Sequence, residues 1–107
     1  VFVNLSARVG SITDNRLGGW ISYRSSKAAL NQIIKTSSIE INRRNKNAIC
    51  VGLHPGTVKT KFTEKFQNTA KTISPKESVE MMMKVVENLS VDDNGYCFAY
   101  DGKVIPA

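Results

Sequence analysis

Tyr23 and Lys27 stand four residues apart in a stretch whose apolar spacing reads as helix, which puts a phenol and an ammonium on one face, a turn apart. A phenol ordinarily titrates at about 10, too high for proton transfer at neutrality. A neighbouring ammonium stabilises the phenolate and so fits such a group to acid–base work. The same face runs on through Leu30 and Ile34, so the pair is expected to point toward a sheet. Tyr and Lys at this spacing are also common as a plain surface pair, so the pair alone does not decide the matter. Other candidates are weaker. His54 ends an apolar run and reads more simply as a backbone-bonded or exposed loop histidine than as a catalyst. Trp20, beside Gly18-Gly19, suits either a substrate wall or a loop anchor. Cys50 and Cys97 lack metal-ligand spacing and sit in strand-like runs, which suggests buried, reduced thiols in a cytoplasmic protein and no metal site.

The elements that must position these groups can be read in order. Val1 to Leu5 is a short apolar run of the kind a parallel strand covered on both faces requires. A polar stretch from Ser6 to Gly19 follows, then a helical pattern from Ile21 to Arg44 with Leu30, Ile34, Ser37 and Ile41 on one side. Asn45 to Asn47 end it, and Arg43-Arg44 in the last turn suit the helix dipole. Ala48 to Leu53 reads as a second strand, broken by Pro55-Gly56. Thr60 to Phe66 suggests a short helix. Ser74-Pro75-Lys76-Glu77 has the residues of a helix start, with Val79, Met82, Met83, Val86 and Leu89 expected inward. Asp92 to Gly95 is a turn and Tyr96 to Tyr100 a third strand, after which Asp101-Gly102 leads into Val104-Ile105. Strand, helix, strand, helix, strand predicts an α/β fold with a parallel sheet. In such sheets ligands bind beyond the carboxyl ends of the strands, where Ser6 to Gly10 and His54 to Thr60 would gather.

The 107 residues suffice for one domain and one modest core. With 41% hydrophobic and 22% charged residues the chain is neither disordered nor fibrous. No apolar run is long enough to span a bilayer, and with no basic residues ahead of the first apolar run a secretory signal is not expected. The net charge of +6 is scattered rather than gathered in a stripe with interleaved aromatics, which argues against a nucleic-acid partner. Opening on Val1 within a strand-like run, the sequence is expected to be a portion of something longer.

Three ordered segments carry a more specific signal: Asn4-Leu5-Ser6-Ala7-Arg8-Val9-Gly10-Ser11, Tyr23-Arg24-Ser25-Ser26-Lys27-Ala28-Ala29-Leu30-Asn31, and His54-Pro55-Gly56-Thr57-Val58-Lys59-Thr60. Together with the ending Tyr100-Asp101-Gly102-Lys103-Val104-Ile105-Pro106, they resemble the short-chain dehydrogenase/reductase family over essentially the whole chain. The resemblance is to the subgroup of C-factor and Sniffer-like carbonyl reductases. It implies the carboxyl-terminal part of a single Rossmann-like domain, with about three strands, two main helices and a short lid helix, and without the nucleotide-binding half. Tyr23 would be the general acid or base, and Lys27 would hold the ribose of NADP or NAD and favour the phenolate. Pro55, Gly56, Val58 and Thr60 would line the nicotinamide, and Thr60 to about Thr72 would cover a small carbonyl or alcohol substrate. The family resemblance also implies a homo-oligomer when intact.

Two departures qualify that reading. The family's second serine after the first strand is replaced by Ala7. Ser6 points the other way on an extended chain, so Ser11 is the preferred substitute, with a turn-forming role as the alternative. The family's pyrophosphate cradle lies outside this sequence, so the chain alone is expected to bind dinucleotide weakly. The competing reading is a non-catalytic relative that acts through protein–protein contacts.

Overall fold

A computed structural model describes residues 1–58 and 72–107. The expected short helix over Thr60 to Phe66, the covering loop and Thr60 itself lie outside the described residues. The elements are β1 (Phe2–Leu5), α1 (Ile21–Arg44), β2 (Cys50–His54), α2 (Pro75–Glu87), β3 (Cys97–Ala99) and β4 (Val104–Ile105). They build a sheet of order β1-β2-β3-β4. The first three strands are parallel, with Leu5 opposite Leu53 and Leu53 opposite Phe98. β4 returns antiparallel to β3 across a tight turn in which the Gly102 N–H donates to Ala99 O at 2.9 Å. The expected parallel sheet of about three strands is present, and an antiparallel fourth strand extends it. Residues 104 and 105 are too short a run to declare a strand by pattern, and only pairing with β3 makes them one.

Side-chain alternation along β2 gives each helix its own face. Gly52 leaves room for α1, since a Cβ there would stand 2.6 Å from Cys97 Sγ and 3.0 Å from Ile34 Cδ1. On the other face Val51 and Leu53 join Ile49 and Phe98 in a buried cluster covered by Met82, Val85, Val86 and Leu89 of α2. Val79 and Met83, expected inward, are exposed, whereas Val85 packs on the core. The packed stripe of α2 runs through Ser78, Met82, Val85 and Val86 to Leu89, one column round from the apolar spacing. β1 departs from expectation in another way: Phe2, Val3 and Leu5 are exposed at the edge of the sheet rather than covered on both faces.

Short polar links fix the elements. Asn94 accepts from the Cys50 N–H at 2.8 Å and donates to Ser38 O at 3.0 Å, tying α1 to β2. The Ser74 hydroxyl caps α2 by accepting from the Glu77 N–H at 3.1 Å, with Pro75 in the first turn. Buried Ser78 donates to Pro55 O at 2.6 Å, which seats the start of α2 on the bend after β2. Among the described residues no helix is long and apolar enough to cross a membrane.

Candidate active site

β1 and β2 end side by side, and the Ser6 N–H still donates to Leu53 O at 2.9 Å. Past that bond the two chains diverge, and the start of α1 closes a cleft of about 530 Å³ between them. Tyr23 from α1, Ala7 from the chain after β1, and His54, Pro55, Gly56 and Thr57 from the end of β2 all line it. The bend at Gly56 has a specific local cause. Its φ of +81° is left-handed, and an added Cβ would lie 2.9 Å from the Tyr100 ring, so only glycine brings the backbone to the cleft wall here.

Tyr23 is 46% exposed on the cleft, so its phenol is open to a ligand while the rest of the residue stays anchored on α1. The Lys27 Nζ lies 5.7 Å from the centre of the Tyr23 ring and donates to Leu5 O at 3.5 Å. The Lys27 ammonium therefore stands beside the Tyr23 ring, and of the two residues Tyr23 lines the cleft bounded by the Pro55-Gly56 bend. Val58 lies beyond the cleft lining and pairs as an isolated bridge with Ile73, while Thr57, absent from the sequence-based set, lines the cleft.

The serine question is answered by geometry. Ser6 is buried and donates to Asn31 Oδ1 at 2.5 Å, so its hydroxyl is committed to α1. Ala7 is extended, with φ −151° and ψ 147°, and presents a methyl group to the cleft. Ser11 is not brought to Tyr23. It is 1% exposed, its oxygen accepts from the Asp14 N–H at 3.0 Å, and it belongs to a different depression, beside Gly18 and Gly19. The turn-forming role is the one the structure supports, because an Asp14 N–H three residues on is a ready local donor.

His54 differs from a backbone-bonded or exposed loop histidine in its surroundings. It lines the cleft, is only partly exposed, and its Nδ1 is buried with no hydrogen-bond partner. Burial, reinforced by the Arg8 guanidinium and opposed by Asp101, lowers its pKa from 6.5 to about 4. The ring is therefore neutral at physiological pH and keeps one donor and one acceptor. Nothing local in the sequence signals this, since Arg8 and Asp101, the charges that act on it, come from distant parts of the chain. Arg8 meets Asp14 at 3.6 Å in a largely exposed pair of small energetic weight. Both cysteines are free, and burial pushes both thiols up, so neither is poised as a nucleophile.

An α/β sheet with a tyrosine and a lysine one helical turn apart near its carboxyl edge, beside a glycine bend that opens backbone to a cleft, has the layout of a Rossmann-type fold, whose ligands bind at that edge. Comparison with known proteins agrees. No protein-family model matches the chain. An uncharacterised oxidoreductase of Schizosaccharomyces pombe is 38% identical over 94% of the chain and 44% of its own length. Among solved structures, the carbonyl reductase Sniffer of D. melanogaster matches with a TM-score of 0.84 and 33% identity, over 98% of this chain and 40% of that one. An NADPH-bound carbonyl reductase from chicken fatty liver matches with a TM-score of 0.82 and 38% identity, over 98% and 42%. The chain belongs to the short-chain dehydrogenase/reductase type of oxidoreductase, and it spans about two fifths of the length of these relatives.

Proposed function

We propose that this chain supplies the proton-transfer side of an NAD(P)-dependent carbonyl reductase and corresponds to the carboxyl-terminal part of such a protein. The observation that carries the reading is Tyr23 on a cleft shared with Pro55 and Gly56, with the Lys27 ammonium beside its ring. The residues present fit a nicotinamide nucleotide. The glycine bend admits a planar ring against bare backbone, the orphaned His54 Nδ1 offers a polar atom in the wall, and the relative from chicken fatty liver binds NADPH. Lys27 and Tyr23 would hold the ribose hydroxyls, with Pro55, Gly56 and Val58 along the nicotinamide and Thr60 beyond the described residues. When bound, the dinucleotide supplies the hydride that reduces the carbonyl carbon.

The protein's own part is the proton. The Tyr23 hydroxyl donates to the carbonyl oxygen of a small substrate, so that the oxygen leaves as an alcohol; in the reverse direction the phenolate takes the alcohol proton. Lys27, its ammonium 5.7 Å from the centre of the Tyr23 ring, is the cation of the pair and would bind the ribose hydroxyls. With a methyl group at position 7, the substrate oxygen loses the hydrogen bond a serine would give, which in oxyanion sites is worth about 2–4 kcal/mol. A slower enzyme is the consequence, and Ala7 is also the feature that favours the second reading, a non-catalytic relative acting through protein contacts. Two free cysteines suit a reducing, cytoplasmic setting, and a homo-oligomer of the longer protein is part of the same proposal.

Lys27→Met separates the two readings, since it keeps the aliphatic stem and removes the ammonium. In the longer protein carrying this chain, ketone reduction should lose about tenfold or more in kcat, with a higher KM for NADPH. Unchanged kinetics, or no NADPH-dependent reduction by the unsubstituted protein, would leave the non-catalytic reading.

A further inference from the structure

The cleft that holds Tyr23 carries an uneven charge. Among the described residues, the guanidinium groups of Arg8, Arg16 and Arg24 line it against one carboxylate, that of Asp14. The three cations differ in what already holds them. Arg24 is tied to backbone on each of its nitrogens: Nε donates to Gly19 O at 2.8 Å, and the terminal nitrogens to Gly18 O at 3.1 Å and Val9 O at 3.5 Å. It fixes the loop and keeps its charge, because arginine does not deprotonate in proteins. Arg8 meets Asp14 through one nitrogen at 3.6 Å, with both side chains partly exposed. Arg16 makes no ion pair or hydrogen bond among the described residues.

One carboxylate does not neutralise three cations, so an anion that enters meets a favourable potential from the walls. The excess reaches the end of β2, where Arg8 helps to keep the His54 imidazole neutral. Chemistry narrows the kind of anion. A guanidinium presents parallel N–H donors in a rigid fork, which matches the two oxygens of a carboxylate. Arg16 offers its whole fork, and Arg8 offers the nitrogens that do not meet Asp14. Both line the same 530 Å³ cleft as the Tyr23 phenol, so one small molecule can engage a cation and the phenol together.

We infer that the cleft takes carbonyl compounds that also bear a carboxylate, with Arg16 and Arg8 holding the carboxylate and Tyr23 facing the carbonyl. The inference names a substrate class for the carbonyl-reductase reading above and rests on that reading. Asp14 is then the counter-charge against which a substrate carboxylate competes for Arg8. A partly exposed ion pair changes binding by at most about fivefold, so two arginines favour the anion over a neutral compound of the same shape by about tenfold.

Two ketones of matched size, anionic 4-acetylbenzoate and neutral 4-acetylbenzamide, test this by ligand-observed NMR titration of the 107-residue chain at low salt. The carboxylate should bind about tenfold tighter. That ratio should shrink toward one at about 0.5 M salt, where charges are screened within a few ångströms. Arg16→Gln and Arg8→Gln should each cut the ratio about threefold, and Asp14→Asn should raise it by a similar factor. The rise is the sharper sign, because damage to the fold does not tighten the binding of one ketone alone. Arg43→Gln, at the far end of α1, removes the same charge and should leave the ratio unchanged. If Arg8→Gln fails to fold, Arg16→Gln decides, because Arg16 is exposed. No saturable binding, equal affinities, a ratio indifferent to salt, no rise with Asp14→Asn, or an equal fall with Arg43→Gln and Arg16→Gln overturns the inference. Tyr23→Phe tests the underlying reading separately. It should weaken both ketones alike and leave their ratio intact, whereas an effect on neither would remove the proton-donor role while the ratio still judges the arginines.

Discussion

The single imidazole of the chain is its most informative titratable side chain. His54 sits in the cleft wall with a buried, unpartnered Nδ1 and a pKa lowered to about 4 by burial. Because the folded value lies below the unfolded 6.5, the unfolded chain takes up the proton first as pH falls. The stabilising effect is complete above 6.5 and is lost as pH drops toward 4. With an allowance for solvent on its exposed side, the loss is about 2 kcal/mol. Urea unfolding of the chain and of His54→Asn between about pH 7 and 4.5 checks this, since the variant should lose distinctly less stability over that range. Parallel losses in the two proteins would mean that His54 is solvated. At this scale the sequence was legible where chemistry is local: Tyr23 and Lys27 share a face by helical spacing alone. It was opaque for His54, whose state depends on burial and on Arg8 and Asp101 from other parts of the chain, whereas the bond that holds Ser11, from the Asp14 N–H, is local.

Among the elements, the ends of helices were the most readable. α1 runs from Ile21 to Arg44 as its pattern requires, and the Ser74 cap with Pro75 starts α2 where those residues dictate. Both signals are short-range and survive any tertiary arrangement. The errors fall where packing decides: Val79 and Met83 have the right period but no covering partner, and β4 exists only through β3. The bend after β2 is the element on which the site most depends. Gly56→Ala puts a side chain into left-handed backbone and against the Tyr100 ring, so it should cost about 2 kcal/mol and lower the thermal midpoint by several degrees. A midpoint within error of the parent would show that the bend can relax without the glycine.

For the molecule as a whole, the consequential feature is β1. It pairs with β2 on one side only, and Phe2, Val3 and Leu5 are exposed on it, an apolar edge of the sort that recruits a further strand. The 107-residue chain should therefore self-associate in sedimentation experiments as concentration rises, and Val3→Lys should restore the monomer, since an edge lysine opposes strand addition. A wild-type chain that stays monomeric at high concentration would count against an available edge. The fold class was readable from the order of elements because two long crossovers between apolar runs permit few other arrangements. The unpaired far edge of β1 follows from the same order of elements, whereas the exposure of its faces does not, because its composition is that of a strand covered on both.

The central claim is that the Tyr23 hydroxyl delivers a proton to a carbonyl oxygen in the cleft beside the glycine bend. It is tested most directly by the rate of NADPH-dependent ketone reduction in the longer protein carrying this chain, compared with its Tyr23→Phe variant, which removes one oxygen atom from a partly exposed side chain. The account predicts a fall in kcat of about a hundredfold or more with the fold intact. Equal rates in the two proteins would contradict it.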